Sequence, residues 1–90
     1  MAKFLAIHPV GSEMTVEAGT PMAQSIKAHL TADAYWSRSW YAPEAGALYC
    51  LWDAANAEAI REVLAKAAPD LPTEGPYQIT MDLQSEDFRQ

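Results

Sequence analysis

The chain changes hydrophobic period several times, and each change marks an element. "KFLAI" (3–7) is a short continuous apolar run, as expected of a strand covered on both faces. "HPVGSEMTVEAG" (8–19) is irregular and carries Pro9, Gly11 and Gly19. In "TPMAQSIKAHL" Thr20 reads as a helix N-cap and Pro21 as the first helical residue, with Met22, Ile26 and Leu30 on one stripe. "AYWSRSWY" (34–41) and "ALYCLWD" (47–53) read as strands joined by the turn "APEAG" (42–46). Asn56 caps a second helix whose Ile60, Val63, Leu64 and Ala67 share a face, supported by a Glu62–Lys66 pair and ended at Pro69. After the breaker-rich "APDLPTEGP" (68–76), "YQITMDL" (77–83) alternates strictly, with Tyr77, Ile79, Met81 and Leu83 on one side.

The order is β-α-β-β-α-β, which predicts an α+β, ferredoxin-like sandwich with an antiparallel sheet of strand order 4-1-3-2. The expected domain spans 1–84, and 85–90 is a loose C-terminal tail. The two strands that read as continuous apolar runs fall at the centre of that sheet, so local pattern and topology agree. Two helices cover one face only, yet the central strands offer apolar residues to both. A bare apolar face of that size predicts face-to-face homodimerisation, as a dimeric α/β barrel.

Register within the hairpin decides which side chains meet. Pairing Tyr41 with Ala47 groups Trp36, Arg38, Trp40, Leu48, Cys50 and Trp52 on one face. Tyr35, Ser37, Ser39, Tyr41, Tyr49, Leu51 and Asp53 then lie on the other, and a slip of one residue regroups the strands. Aromatics cross-pair in sheets simply because they fill volume, and an amphipathic aromatic face also suits a pocket.

Composition narrows the partners. The 90 residues carry a net charge of −6, which disfavours nucleic acid or an anionic membrane as the main partner. No stretch reads as a membrane span, and the N-terminal run is read as a strand rather than a signal peptide. The single cysteine fits a reducing, cytoplasmic setting.

"WSRSWYAP", followed by "YCLWDA" and "AEAIRE", resembles a family of small bacterial ferredoxin-like domains of largely unassigned function (DUF4242-like), with at least one nickel-binding member. The likeness is best over residues 34–64. Ala55 stands where the family usually has Pro, and the histidine some members carry in or after the second helix is absent. What the resemblance implies is a ferredoxin-like domain that binds a small ligand or a divalent metal such as nickel.

Candidate chemistry is sparse. His8 closes the first strand at what reads as its rim and is the leading metal ligand, or a general base. His29 edges the buried stripe of the first helix near its C-terminus, where the dipole favours a cation. Cys50 is most simply a small buried hydrophobe, with a weaker reading as a metal ligand. Tyr41, Arg38, Trp36 and Tyr49 are the candidate ligand-binding residues. No HExxH, CxxC or phosphate-loop spacing occurs, and the carboxylates read as a solvated surface. Three functions follow: a ligand- or metal-binding homodimer, a cofactor-free enzyme with His8 as base and Tyr41 or Arg38 as polariser, or an interaction domain with no site.

Overall fold

A computed structural model describes residues 1–88. The elements are β1 (Ala2–His8), α1 (Val16–Ala28), β2 (Ala34–Ala42), β3 (Ala47–Ala54), α2 (Ala57–Ala67) and β4 (Glu74–Ile79), with a short 3₁₀ turn at Ser85–Phe88. The sheet is antiparallel with order β2-β3-β1-β4, the same as 4-1-3-2 read from the other edge. Both helices lie on one face, so the fold is the expected ferredoxin-like sandwich. The expected tail lies beyond the last strand: 85–88 form the 3₁₀ turn, and 89–90 lie outside the described residues. Among the described residues no helix is long and apolar enough to cross a membrane.

The core forms where the helix-facing residues of the central strands meet α2. Phe4 and Ala6 of β1 join Leu48, Cys50, Trp52 and Ala54 of β3 under Ile60, Val63 and Leu64. Trp52 is wholly buried and contributes the largest buried volume. The second helix starts as expected, with the Asn56 side chain accepting from Ala59 N–H at 2.9 Å. Its ion pair differs from expectation: Glu58 meets Arg61 at 3.4 Å, both exposed, which adds little.

Three expectations are corrected. Helix α1 begins at Val16 rather than after Thr20, because the Thr15 hydroxyl accepts from Ala18 N–H at 3.1 Å and satisfies a donor of the first turn. Pro21 therefore lies inside the helix, where its missing N–H leaves the Glu17 carbonyl without an intrahelical donor. Strand β4 ends at Ile79 rather than Leu83, since Ile79 pairs with Lys3 and β1 runs out at Ala2. The hairpin pairs Ala42, not Tyr41, with Ala47. The register shifts between Trp36 and Arg38, so Trp36 does meet Trp52 but everything from Arg38 to the turn has changed face.

The rows across the sheet are then simple. On the helix side run Tyr41–Leu48–His8, Ser39–Cys50–Ala6 and Trp36–Trp52–Phe4. On the open side run Trp40–Tyr49–Ile7–Glu74, Arg38–Leu51–Leu5–Tyr77 and Tyr35–Asp53–Lys3–Ile79. The open side carries one ion pair, Lys3–Asp53 at 3.2 Å, and is otherwise dominated by apolar and aromatic groups. Tyr35 and Trp40 there are each 47% exposed, and Tyr77 is 55% exposed.

Candidate functional site

Helix α1 sits loosely on the sheet, and the reason is in its sequence. Of its thirteen residues only Ile26 is buried, whereas the shorter α2 buries Ile60, Val63 and Leu64. Gly19 and Ala23 offer no bulk toward β2 and β3. The result is a cleft of about 310 Å³ lined by Met14, Thr15, Gly19, Thr20, Ala23, Ser39, Tyr41 and Leu48, among others. A second space of about 120 Å³ shares Met14, Gly19, Ala23, Ser39 and Leu48 with it and reaches Met22, Ile26, Trp36, Cys50 and Leu71.

The mouth is held by the loop before α1. Tyr41 Oη donates to the Gly11 carbonyl at 2.6 Å and accepts from Met14 N–H at 3.1 Å. Gly11 N–H donates to the Gly46 carbonyl at 2.9 Å, tying the loop to the hairpin turn. Gly11 and Gly46 have φ of 92° and 64°, a region costly for other residues. On the floor Trp36 Nε1–H donates to Ser39 Oγ at 2.8 Å, and that hydroxyl donates to Cys50 Sγ at 2.9 Å. Burial pushes the Cys50 thiol up, and the Ser39 hydrogen bond offsets this only in part. Cys50 is thus a neutral thiol, not a poised nucleophile. With the Tyr41, Ser39 and Trp36 groups already paired, the cleft is suited to a small apolar ligand.

His8 is not at an open rim. It is wholly buried, because its row on the helix side is roofed by the segment after α2. Its Nδ1 lies 3.0 Å from the Pro72 carbonyl and 3.0 Å from Thr73 Oγ1. A carbonyl only accepts, so Nδ1 carries the proton and Nε2 is left as a bare lone pair. That Nε2 has no hydrogen-bond partner. Burial holds the His8 pKa below its ordinary value, outweighing the Pro72 bond that raises it.

The sequence-predicted residues divide between the two faces. Tyr41 lines the cleft and Trp36 the second space beside it, while Arg38 and Tyr49 lie on the open side, with Arg38 5.4 Å from the Trp40 ring centroid. His8 and Tyr41 share a row but are separated by β3, about 10 Å apart at two interstrand spacings. The base-and-polariser pairing of His8 with Tyr41 or Arg38 is therefore not assembled. His29 caps α1 and is exposed, with Nδ1–H donating to the Ser25 carbonyl at 2.7 Å. No group of three His, Cys, Asp or Glu side chains comes together among the described residues. Sequence reasoning missed the contribution of Met14, in the loop before α1, and of Gly19 and Ala23, whose only signal was the small-residue side of a helix that began earlier than expected.

A chain with this strand order and both helices on one face of the sheet has the ferredoxin-like fold. The family described as nickel responsive protein SCO4226-like matches residues 4–75, and the chain belongs to that family. Among solved structures it is similar to SCO4226 from Streptomyces coelicolor A3(2), at 20% identity and a TM-score of 0.78. That likeness covers 91% of this chain and 100% of the other, and at this identity it shows the fold. No curated protein matches.

Proposed function

We propose that this chain is a small homodimeric ligand-binding protein, with its ligand in the α1–sheet cleft and its open sheet face against a second copy. The cleft carries the first part: it is apolar, of ligand size, and floored by polar groups that already have partners. The open face supports the second, since Leu5, Ile7, Tyr49 and Leu51 form a patch flanked by exposed Tyr35, Trp40 and Tyr77. The test uses benzyl alcohol as an apolar probe and the ¹³C-methyl resonances of methionine. Saturable shifts of Met14 that leave Met1 and Met81 unmoved, and that vanish in Ala23→Leu, support the cleft. Shifts that are absent, or that survive Ala23→Leu, refute it.

The family description adds a second reading, a divalent metal such as nickel. His8 favours it with a neutral imidazole whose Nε2 lone pair is unused. One imidazole is not a metal centre, however, and the described residues of a single chain do not fit a resident nickel ion. Calorimetric titration of nickel into chelator-stripped protein separates the readings. Micromolar uptake at fixed stoichiometry, lost in His8→Ala, establishes the metal; weak uptake unchanged by the variant removes it.

A further inference from the structure

The alternation that begins in β4 outlasts its partner strand. Tyr77 and Ile79 pair with Leu5 and Lys3 and so belong to the open face. The same period continues through Met81 and Leu83, but the strand itself stops at Ile79. The segment that follows is apolar on one side and exposed on its own chain. Met81 is 72% exposed, Leu83 67% and Phe88 63%. Beyond Ile79 the only backbone hydrogen bond outside regular elements, among the described residues, is the local Asp87 N–H to Gln84 carbonyl.

We propose that residues 80–88 are an arm that packs on a second copy of this chain, along the β2 edge of its open face, with Met81 against Tyr35 and Leu83 toward Trp40. The inference rests on the homodimer reading above. Three observations select a second copy as the occupant. The arm prolongs the apolar side of the very face that needs covering. Residues 80–88 carry Asp82, Glu86 and Asp87 and no Lys or Arg, so the arm is negative. Arg38, which stands on the open face over Trp40, has no carboxylate partner among the described residues, so the charges of arm and edge are complementary.

Geometry allows the reach. Turning a second copy about an axis parallel to the strands stacks the two open faces and sets β4 of each over β2 of the other. Packed sheets lie about 10 Å apart, and five extended residues span about 17 Å. Ile79 shares a row with Tyr35, so each β4 ends level with the partner's Tyr35, and an arm that turns back after Ile79 meets Tyr35 first; Trp40 lies four β1 residues, about 13 Å, farther back and takes up the rest of that length. Each arm then clasps the edge that its own sheet cannot reach, and the acidic groups come beside the partner's Arg38.

Sedimentation velocity on the full chain, on a chain ending at Ile79, and on Met81→Asp/Leu83→Asp tests the arm. The full chain is expected to be a dimer, with the dissociation constant raised roughly 30-fold or more in both altered forms, as loss of two apolar anchors requires. Arg38→Glu should weaken the dimer too, and Asp82→Lys/Glu86→Lys/Asp87→Lys should restore it in that background. Isotope-filtered NOEs in mixed labelled dimers should join the Met81 methyl to the Tyr35 ring of the other copy. A full chain that is monomeric overturns the homodimer reading itself. A full chain that dimerises no better than its altered forms, with no such NOE, overturns the arm alone.

Discussion

His8 provides the sharpest test of the buried interior. Lowering the pH offers it a proton that the folded state has no room to solvate. The imidazole is wholly buried, Nδ1–H is already committed to Pro72 and Thr73, and Nε2 faces no acceptor. Its folded pKa is accordingly below the ordinary value of 6.5. For a depressed histidine both states are neutral well above 6.5, so stability there is full. Below that value the unfolded chain takes up a proton first, and stability falls until the folded pKa is passed. The limiting slope is about 1.4 kcal/mol per pH unit, so the loss by about pH 5.5 approaches 1.4 kcal/mol when the folded pKa lies well below it. Against a total of roughly 5–15 kcal/mol for a domain this is readily measured. Urea unfolding at fixed protein concentration, followed by tryptophan fluorescence between about pH 7.5 and 5.5, reads it before ordinary carboxylates titrate. His8→Gln should be less stable at neutral pH but should lose the slope over that range. A flat wild-type profile, or an equal slope in the variant, refutes the assignment.

The remaining predictions concern packing and helix ends. Trp52→Ala should cost about 3–5 kcal/mol by cavity formation, whereas Trp52→Phe should cost clearly less, because the buried Nε1 has no partner to lose; paired urea titrations decide it. Thr15→Ala should cost about 1 kcal/mol by removing the α1 cap, and Pro21→Ala should gain about 1–2 kcal/mol by supplying the missing N–H; a Pro21→Ala loss would overturn the view that Pro21 is a helix defect. Cys50 should react with a thiol-specific disulfide reagent at least about tenfold more slowly in the native protein than in urea. Equal rates would show that the thiol is neither buried nor neutral.

Much of the fold is legible in the sequence because it depends on period and on termini. The alternation of apolar runs and stripes placed β1, β3 and α2, and the Asn56 cap marked where α2 begins. The β-α-β-β-α-β order was enough to predict the strand order, since right-handed crossovers and short connections leave few alternatives. The candidate site was much less legible. Trp36, Tyr41 and Cys50 were singled out from the aromatic hairpin, but their grouping depended on a register shift between Trp36 and Arg38. An extra residue in a strand changes no local propensity, yet it turns every later side chain to the opposite face.

Other outcomes were decided only once the elements had packed. The start of α1 at Val16 followed from Thr15 serving as cap, although Thr20–Pro21 is the stronger local signal. The end of β4 at Ile79 followed from the length of β1, because a strand lasts only as long as its neighbour supplies hydrogen bonds. His8 was placed by the sequence at a strand end and by the structure in the interior, under a segment 64 residues away that supplies its hydrogen-bond partner. Sequence by itself determined the elements, their order and the amphipathic faces, since these arise from neighbours three or four residues apart. Register, burial of individual groups and the cleft under α1 were decided by tertiary structure, since each depends on contacts between residues distant along the chain.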